Sequence, residues 1–83
     1  MNKKLTINNY YSTSDLGLAA TLSLWYPIEG IDRTNPHRAV FLFKRDEELN
    51  PLLEAYWRRE LKVEPQTFFN QLKTIKSRLY AEE

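Results

Sequence analysis

Arg38-Ala39-Val40-Phe41-Leu42-Phe43-Lys44-Arg45 is the stretch that decides the fold of this chain. An unbroken apolar run closed by basic residues at both ends has the length and β-rich composition of a buried strand. Alternate side chains leave a strand on opposite faces, so Ala39, Phe41 and Phe43 point one way while Val40 and Leu42 point the other. Both faces of this strand want cover.

Upstream, Thr34-Asn35-Pro36-His37 is turn chemistry, and Pro27 and Gly30 punctuate the segment before it. Ile28 and Ile31 are out of phase for simple alternation, which predicts a second strand with a bulge at Gly30. Leu5, Ile7, Tyr10 and Tyr11 predict an earlier strand that runs into Ser12-Thr13-Ser14-Asp15, a cluster suited to capping a helix. From Leu16 to Trp25 there is no charge, and Leu18, Leu22 and Trp25 recur at helical spacing. A first helix buried on most of its circumference is expected there.

Downstream, Asp46, Glu47 and Glu48 place carboxylates where a helix dipole is positive, and Asn50-Pro51 fits a cap followed by a first helical residue, with the helix beginning there or one loose turn earlier. Leu49, Leu52, Leu53 and Tyr56 fall on one face of this second helix, with Trp57 at its edge. Val63-Glu64-Pro65 starts a third, whose stripe of Phe68, Leu72, Ile75 and Leu79 runs to an end near Tyr80. The order β-α-β-β-α-α predicts an α+β fold: a three-stranded antiparallel sheet packed against helices, with residues 1–83 as a single domain.

Composition bounds the rest. A chain of 83 residues with 42% hydrophobic and 13% aromatic residues can build a core. At that size it buries only roughly 60 to 65% of its unfolded surface, so its stability margin is thin. Cysteine is absent, which removes disulfides and thiolate chemistry. The lead Met1-Asn2-Lys3-Lys4 is followed by Thr6, Asn8 and Asn9 where a signal peptide would be apolar, and the weakly polar stretch Leu16–Ile28 is too short to span a bilayer. The expectation is a cytoplasmic protein without membrane contact.

The stretches Tyr11-Ser12-Thr13-Ser14-Asp15-Leu16-Gly17-Leu18-Ala19-Ala20, Ile28-Glu29-Gly30-Ile31, Phe41-Leu42-Phe43, Ala55-Tyr56-Trp57 and Val63-Glu64-Pro65-Gln66-Thr67-Phe68-Phe69, with Lys76 and Leu79, resemble a family of small uncharacterised bacterial proteins classed as a domain of unknown function. The resemblance spans nearly the whole chain and implies a shared fold, with no activity attached. In such proteins a short Asn-Gly often follows the aromatic pair of the second helix, whereas Arg58-Arg59 stands here.

Chemistry is thinly represented. His37 is the sole histidine, which leaves a catalytic triad, a zinc cage or a histidine acid-base pair without its usual member. The Asp46-Glu47-Glu48 trio lacks the spacing and glycine of a calcium loop, and Gly17 and Gly30 are too isolated to cradle phosphate. No enzyme, metal or cofactor is expected. Two surfaces remain. Val40 and Leu42, with Ile7 or Tyr10, form an apolar face that a homodimer or another protein partner could cover, or that the chain termini or a helix could equally fold across. Phe69, Lys73, Lys76 and Tyr80 form a second stripe on the third helix which, helped by Arg58, Arg59 and Lys62, suits sequence-independent nucleic-acid binding: ammonium groups meet phosphates and rings stack on bases. The same stripe is also what an ordinary amphipathic margin looks like, with lysine stems lying over apolar surface. The net charge of +1 argues against a strongly basic nucleic-acid protein, so a non-enzymatic adaptor acting through protein contacts leads.

Overall fold

The computed structural model describes residues 9–35 and 37–81. Leu5 and Ile7, the turn residue Pro36 and the lysines of the lead lie outside the described residues. Within them the chain runs β1 (Tyr10–Thr13), α1 (Leu16–Leu22), β2 (Ile28–Asn35), β3 (Arg38–Lys44), α2 (Leu49–Trp57) and α3 (Pro65–Ala81). This is the predicted β-α-β-β-α-α order.

The apolar run is the central strand, in an antiparallel sheet of order β1-β3-β2. Tyr11 and Thr13 stand opposite Phe43 and Phe41 on one side, and Ile28 and Ile31 stand opposite the same two rings on the other. A register shift between Ile28 and Gly30 lets both isoleucines share a face despite their odd spacing. The bulge is where the spacing predicts it.

All three helices lie against the Phe41 and Phe43 face. Both rings are fully buried among Leu18 and Leu22 of α1, Leu49 of α2 and Ile75 of α3, with Tyr11, Tyr56, Phe68, Leu72 and Leu79 packed around them. The α3 stripe faces inward as its spacing requires, while Lys73 and Lys76 reach solvent.

Helix α1 corrects one expectation. It ends at Leu22, and the amides of Leu24 and Trp25 donate to Thr21 and Leu22 three residues back, in tight turns that unwind the helix ahead of Pro27. Trp25 therefore leaves the buried stripe and is 50% exposed. Within the helix the apolar wrap holds, since Leu18, Ala19, Ala20, Thr21 and Leu22 are all buried. Thr21 donates its hydroxyl to the Gly17 carbonyl at 2.9 Å, so it brings no unsatisfied group inside.

Side chains satisfy unpaired backbone groups at the ends of α1 and α3. Asp15 caps α1 by accepting the Leu18 amide at 3.0 Å. Glu64 caps α3 by accepting both the amide and hydroxyl of Thr67, at 2.7 and 2.8 Å. At the far end of α3, the Arg33 guanidinium reaches from β2 and donates to the carbonyls of Arg78 and Leu79, at 3.0 and 3.1 Å. A cation at a helix C-terminus also meets the negative end of the dipole. Helix α2 starts at Leu49, two residues ahead of Pro51, and Asn50 accepts from Arg45 instead of capping.

The end of α2 is a complete Schellman turn. The Glu60 amide donates to Ala55 at 2.9 Å and the Arg59 amide to Tyr56 at 3.0 Å. That turn puts its pivot in the left-handed region, and the pivot is Arg59, at φ 62°. A side chain there costs about 1 to 2 kcal/mol that glycine avoids, partly offset by glycine's greater freedom when unfolded. Arg59→Gly is expected to stabilise the fold by roughly 0.5 to 1 kcal/mol, raising the thermal midpoint by several degrees in a circular-dichroism melt. A lowered midpoint contradicts the strain.

Candidate interaction surfaces

Local backbone logic sets the first surface. Once Arg59 turns the chain, Leu61 and Val63 lie in an irregular connection leading to the Glu64 cap, and Pro65 starts α3. The segment thus bridges two helix ends with its apolar side chains over the gap. Two open hollows result. One, of about 540 Å³, is lined by Thr21, Tyr56, Trp57, Arg59, Leu61, Val63 and Phe68. The other, of about 820 Å³, is lined by Val63, Pro65, Phe68 and Phe69 with Gln66 and Asn70. Val63 and Phe68 line both hollows, which adjoin there as a two-part groove with mostly apolar walls.

Trp57 and Phe69 flank this groove and are 61% and 56% exposed. Trp57 is steadied by an edge-on contact with Tyr56, ring centroids 5.0 Å apart at 87°. Burial, with a lesser contribution from the Asp15 charge, pushes the Tyr56 phenol above its ordinary value. Arg59 is the charged side chain lining the groove, and among the described residues no carboxylate lies within ion-pair distance of it. Arg58 points away and meets Glu54 at 3.9 Å, a solvent-exposed pair of little energetic weight.

The basic and aromatic residues proposed from the sequence separate into two groups. Arg59 lines one hollow and Phe69 the other, with Lys73 lying over the Phe69 ring at 5.3 Å from its centroid. That cation–π contact occupies a ring face that a base would need. Lys76 and the 71% exposed Tyr80 continue along the same flank, Tyr80 about 16 Å farther by helical rise. Lys62 is exposed on the connecting segment.

On the other side of the molecule, strand alternation puts Tyr10, Ser12, Gly30, Asp32, Val40, Leu42 and Lys44 on the outer face of the sheet. Val40 and Leu42 are half-buried there. A methyl of Leu42 lies within 3.6 Å of where a β-carbon on Gly30 would stand, and Ser12 is its partner on β1. Tyr10, Val40 and Leu42 of the expected apolar face share this side of the sheet, and Ile7 lies outside the described residues.

A third surface went unread in the sequence. Trp25, Tyr26, Asp46, Glu47, Glu48, Pro51 and Leu52 surround a shallow acidic hollow. Tyr26 donates to Asp46 at 2.6 Å, and the Glu48 amide donates to the same oxygen at 3.0 Å. The bond to Tyr26 holds the Asp46 carboxyl below its usual range, and the carboxylate in turn pushes the Tyr26 phenol up to about 12. Asp46 thus ties α2 to the end of α1, a tertiary task added to the expected helix-start electrostatics. Among the described residues no cluster of histidine and carboxylates could hold a metal ion. His37 is exposed in its turn, with its amide donating to the Asn35 side chain at 2.9 Å. No helix among the described residues is long and apolar enough to cross a membrane.

With this geometry in hand, residues 8–81 match a family described as a domain of unknown function, DUF5659. The chain belongs to that family. No curated protein and no solved structure matches it. The matched span takes in the whole sheet, all three helices and both walls of the groove.

The acidic limb of stability follows from the caps. Bonds to Thr67 lower the Glu64 carboxyl, and bonds to Thr34 lower that of Asp32, as Tyr26 does for Asp46. Groups depressed on folding stabilise fully above the unfolded range near pH ~4 and lose that contribution as pH falls through their folded values. Glu64→Gln is expected to be less stable than wild type at neutral pH, with the gap closing as acid titrates the wild-type carboxylate. Urea melts at stepped pH measure this, and a gap constant into acid contradicts it.

Proposed function

We propose that this protein is a non-enzymatic adaptor that works by protein contact, and that copies of it associate over the outer sheet face of Tyr10, Val40 and Leu42. The observation that carries the contact reading is the exposure of Trp57 and Phe69 beside two adjoining, mostly apolar hollows. Scattered exposed rings are ordinary on a folded surface, whereas large rings gathered along one groove mark a place where another molecule excludes water. The self-association rests on Val40 and Leu42, which face away from every helix-packed side chain of the core. Light scattering across a concentration series is expected to give a mass above one chain for the wild type and a single-chain mass for Leu42→Asp. A wild type that stays monomeric at all concentrations removes the oligomer.

A second reading, sequence-independent nucleic-acid binding, has one feature in its favour: Phe69, Lys73, Lys76 and Tyr80 all reach solvent along one flank of α3. The small net charge and the ring face taken by Lys73 weigh against it. Oligonucleotide anisotropy separates the readings. If this second one holds, affinity falls steeply as salt rises, and a Lys73→Glu, Lys76→Glu double variant loses binding. If the contact reading holds, no binding is seen even at low salt.

A further inference from the structure

The groove has a chemistry more specific than exposure. Its walls and floor are Trp57, Leu61, Val63, Phe68 and Phe69, so the occupant must present apolar side chains. Thr21 offers no free donor, since its hydroxyl is already given to Gly17. The charged contribution is the Arg59 guanidinium, without an ion-pair partner among the described residues and set at the lip by the turn that closes α2. That placement is maintained against a conformational cost, because φ 62° is a position glycine would fill more comfortably. A strained residue held where its side chain edges an apolar hollow points to use of that side chain.

We infer that the groove between the end of α2 and the start of α3 docks a segment of a partner protein that carries aromatic or aliphatic anchors beside a carboxylate, with the carboxylate paired to Arg59. The inference rests on the contact reading above and names the chemistry of the partner. An arginine fork matches a carboxylate in two parallel bonds, and a pair at the edge of an apolar hollow is less screened than one in open water. Charge complementarity excludes a basic segment. A nucleic-acid strand fits less well, because the one cation lining the groove gives few phosphate contacts.

The test uses the full chain and a short fluorescein-labelled peptide in which Asp and Glu alternate with Leu and Phe. A control peptide has Lys at every acidic position. Saturable binding of the acidic peptide, weakened by salt and absent for the lysine control, is the expected result. Arg59→Gly is expected to weaken it by about tenfold, the loss of one charge-assisted pair, while raising the thermal midpoint. Those opposite signs separate a lost contact from a damaged fold. Arg59→Gln keeps the backbone strain, and it is expected to lose affinity without the gain in midpoint. Trp57→Ala removes one wall and is expected to abolish binding.

Equal binding of the two peptides, or an Arg59→Gly variant that binds as wild type does, overturns the inference. So does a single-stranded oligonucleotide that displaces the peptide at low salt, which assigns the groove to nucleic acid. If the peptide fails to bind while Trp57→Ala or Leu42→Asp changes the scattering mass, the contact reading stands and the acidic partner is wrong. If neither peptide binding nor self-association is observed, both readings fall.

Discussion

Everything in this structure depends on burying Phe41 and Phe43, neighbours on the same face of the central strand. Each ring removes on the order of 150 to 250 Å² from water, a large share of what so short a chain can bury. Covering two rings side by side requires a surface wider than one helix. Three short apolar stripes therefore converge on them: Leu18 and Leu22 from α1, Leu49 from α2, and Ile75 with its neighbours from α3. The bulge in β2 belongs to the same requirement, since it brings Ile28 and Ile31 together against the same rings.

A core this small leaves the helix ends as the weak points, and the polar residues are spent there. Asp15, Glu64 and Arg33 each satisfy backbone groups that packing cannot reach. Arg33 also joins β2 to the far end of α3, and Gln71 donates to Ser23 at 2.8 Å to join α3 to the end of α1. Asp46 does the equivalent for α2 through Tyr26. The three helices are thus held at their ends by directional bonds and in their middles by the two rings. These few contacts fix how the helices lie, where a larger core would do so by area alone.

The groove follows from the same economy. Helices α2 and α3 must both reach the Phe41 and Phe43 face, and the short segment between them has to turn sharply to allow it. The turn uses a left-handed residue at Arg59 and leaves Leu61 and Val63 spanning a gap that the core does not fill. Trp57, last residue of α2, is then too far round the helix to join the core and becomes a wall. Exposure of the aromatic walls is thus a consequence of helix geometry. The charge at the lip is not, because nothing in the turn calls for arginine.

Local pattern alone was enough to determine the element order, the apolar strand at Arg38–Lys44, the bulge near Gly30, a helix start at Ser14 or Asp15 and the inward stripe of α3. Each rests on near-neighbour physics: alternation, helical spacing, capping and turn chemistry act over a few residues. Membership of the family was legible too, since its pattern is made of those same positions. Tertiary structure decided what depends on residues far apart in the chain. Trp25 lay on an apparently continuous helical stripe, and only the tight turn before Pro27 released it to the surface. Arg58 and Arg59 looked equivalent as a basic pair, yet one turn of backbone sent Arg58 to Glu54 and Arg59 to the groove. Which hollows exist, and which charge borders them, is set by how separate elements meet, and no local pattern encodes that meeting.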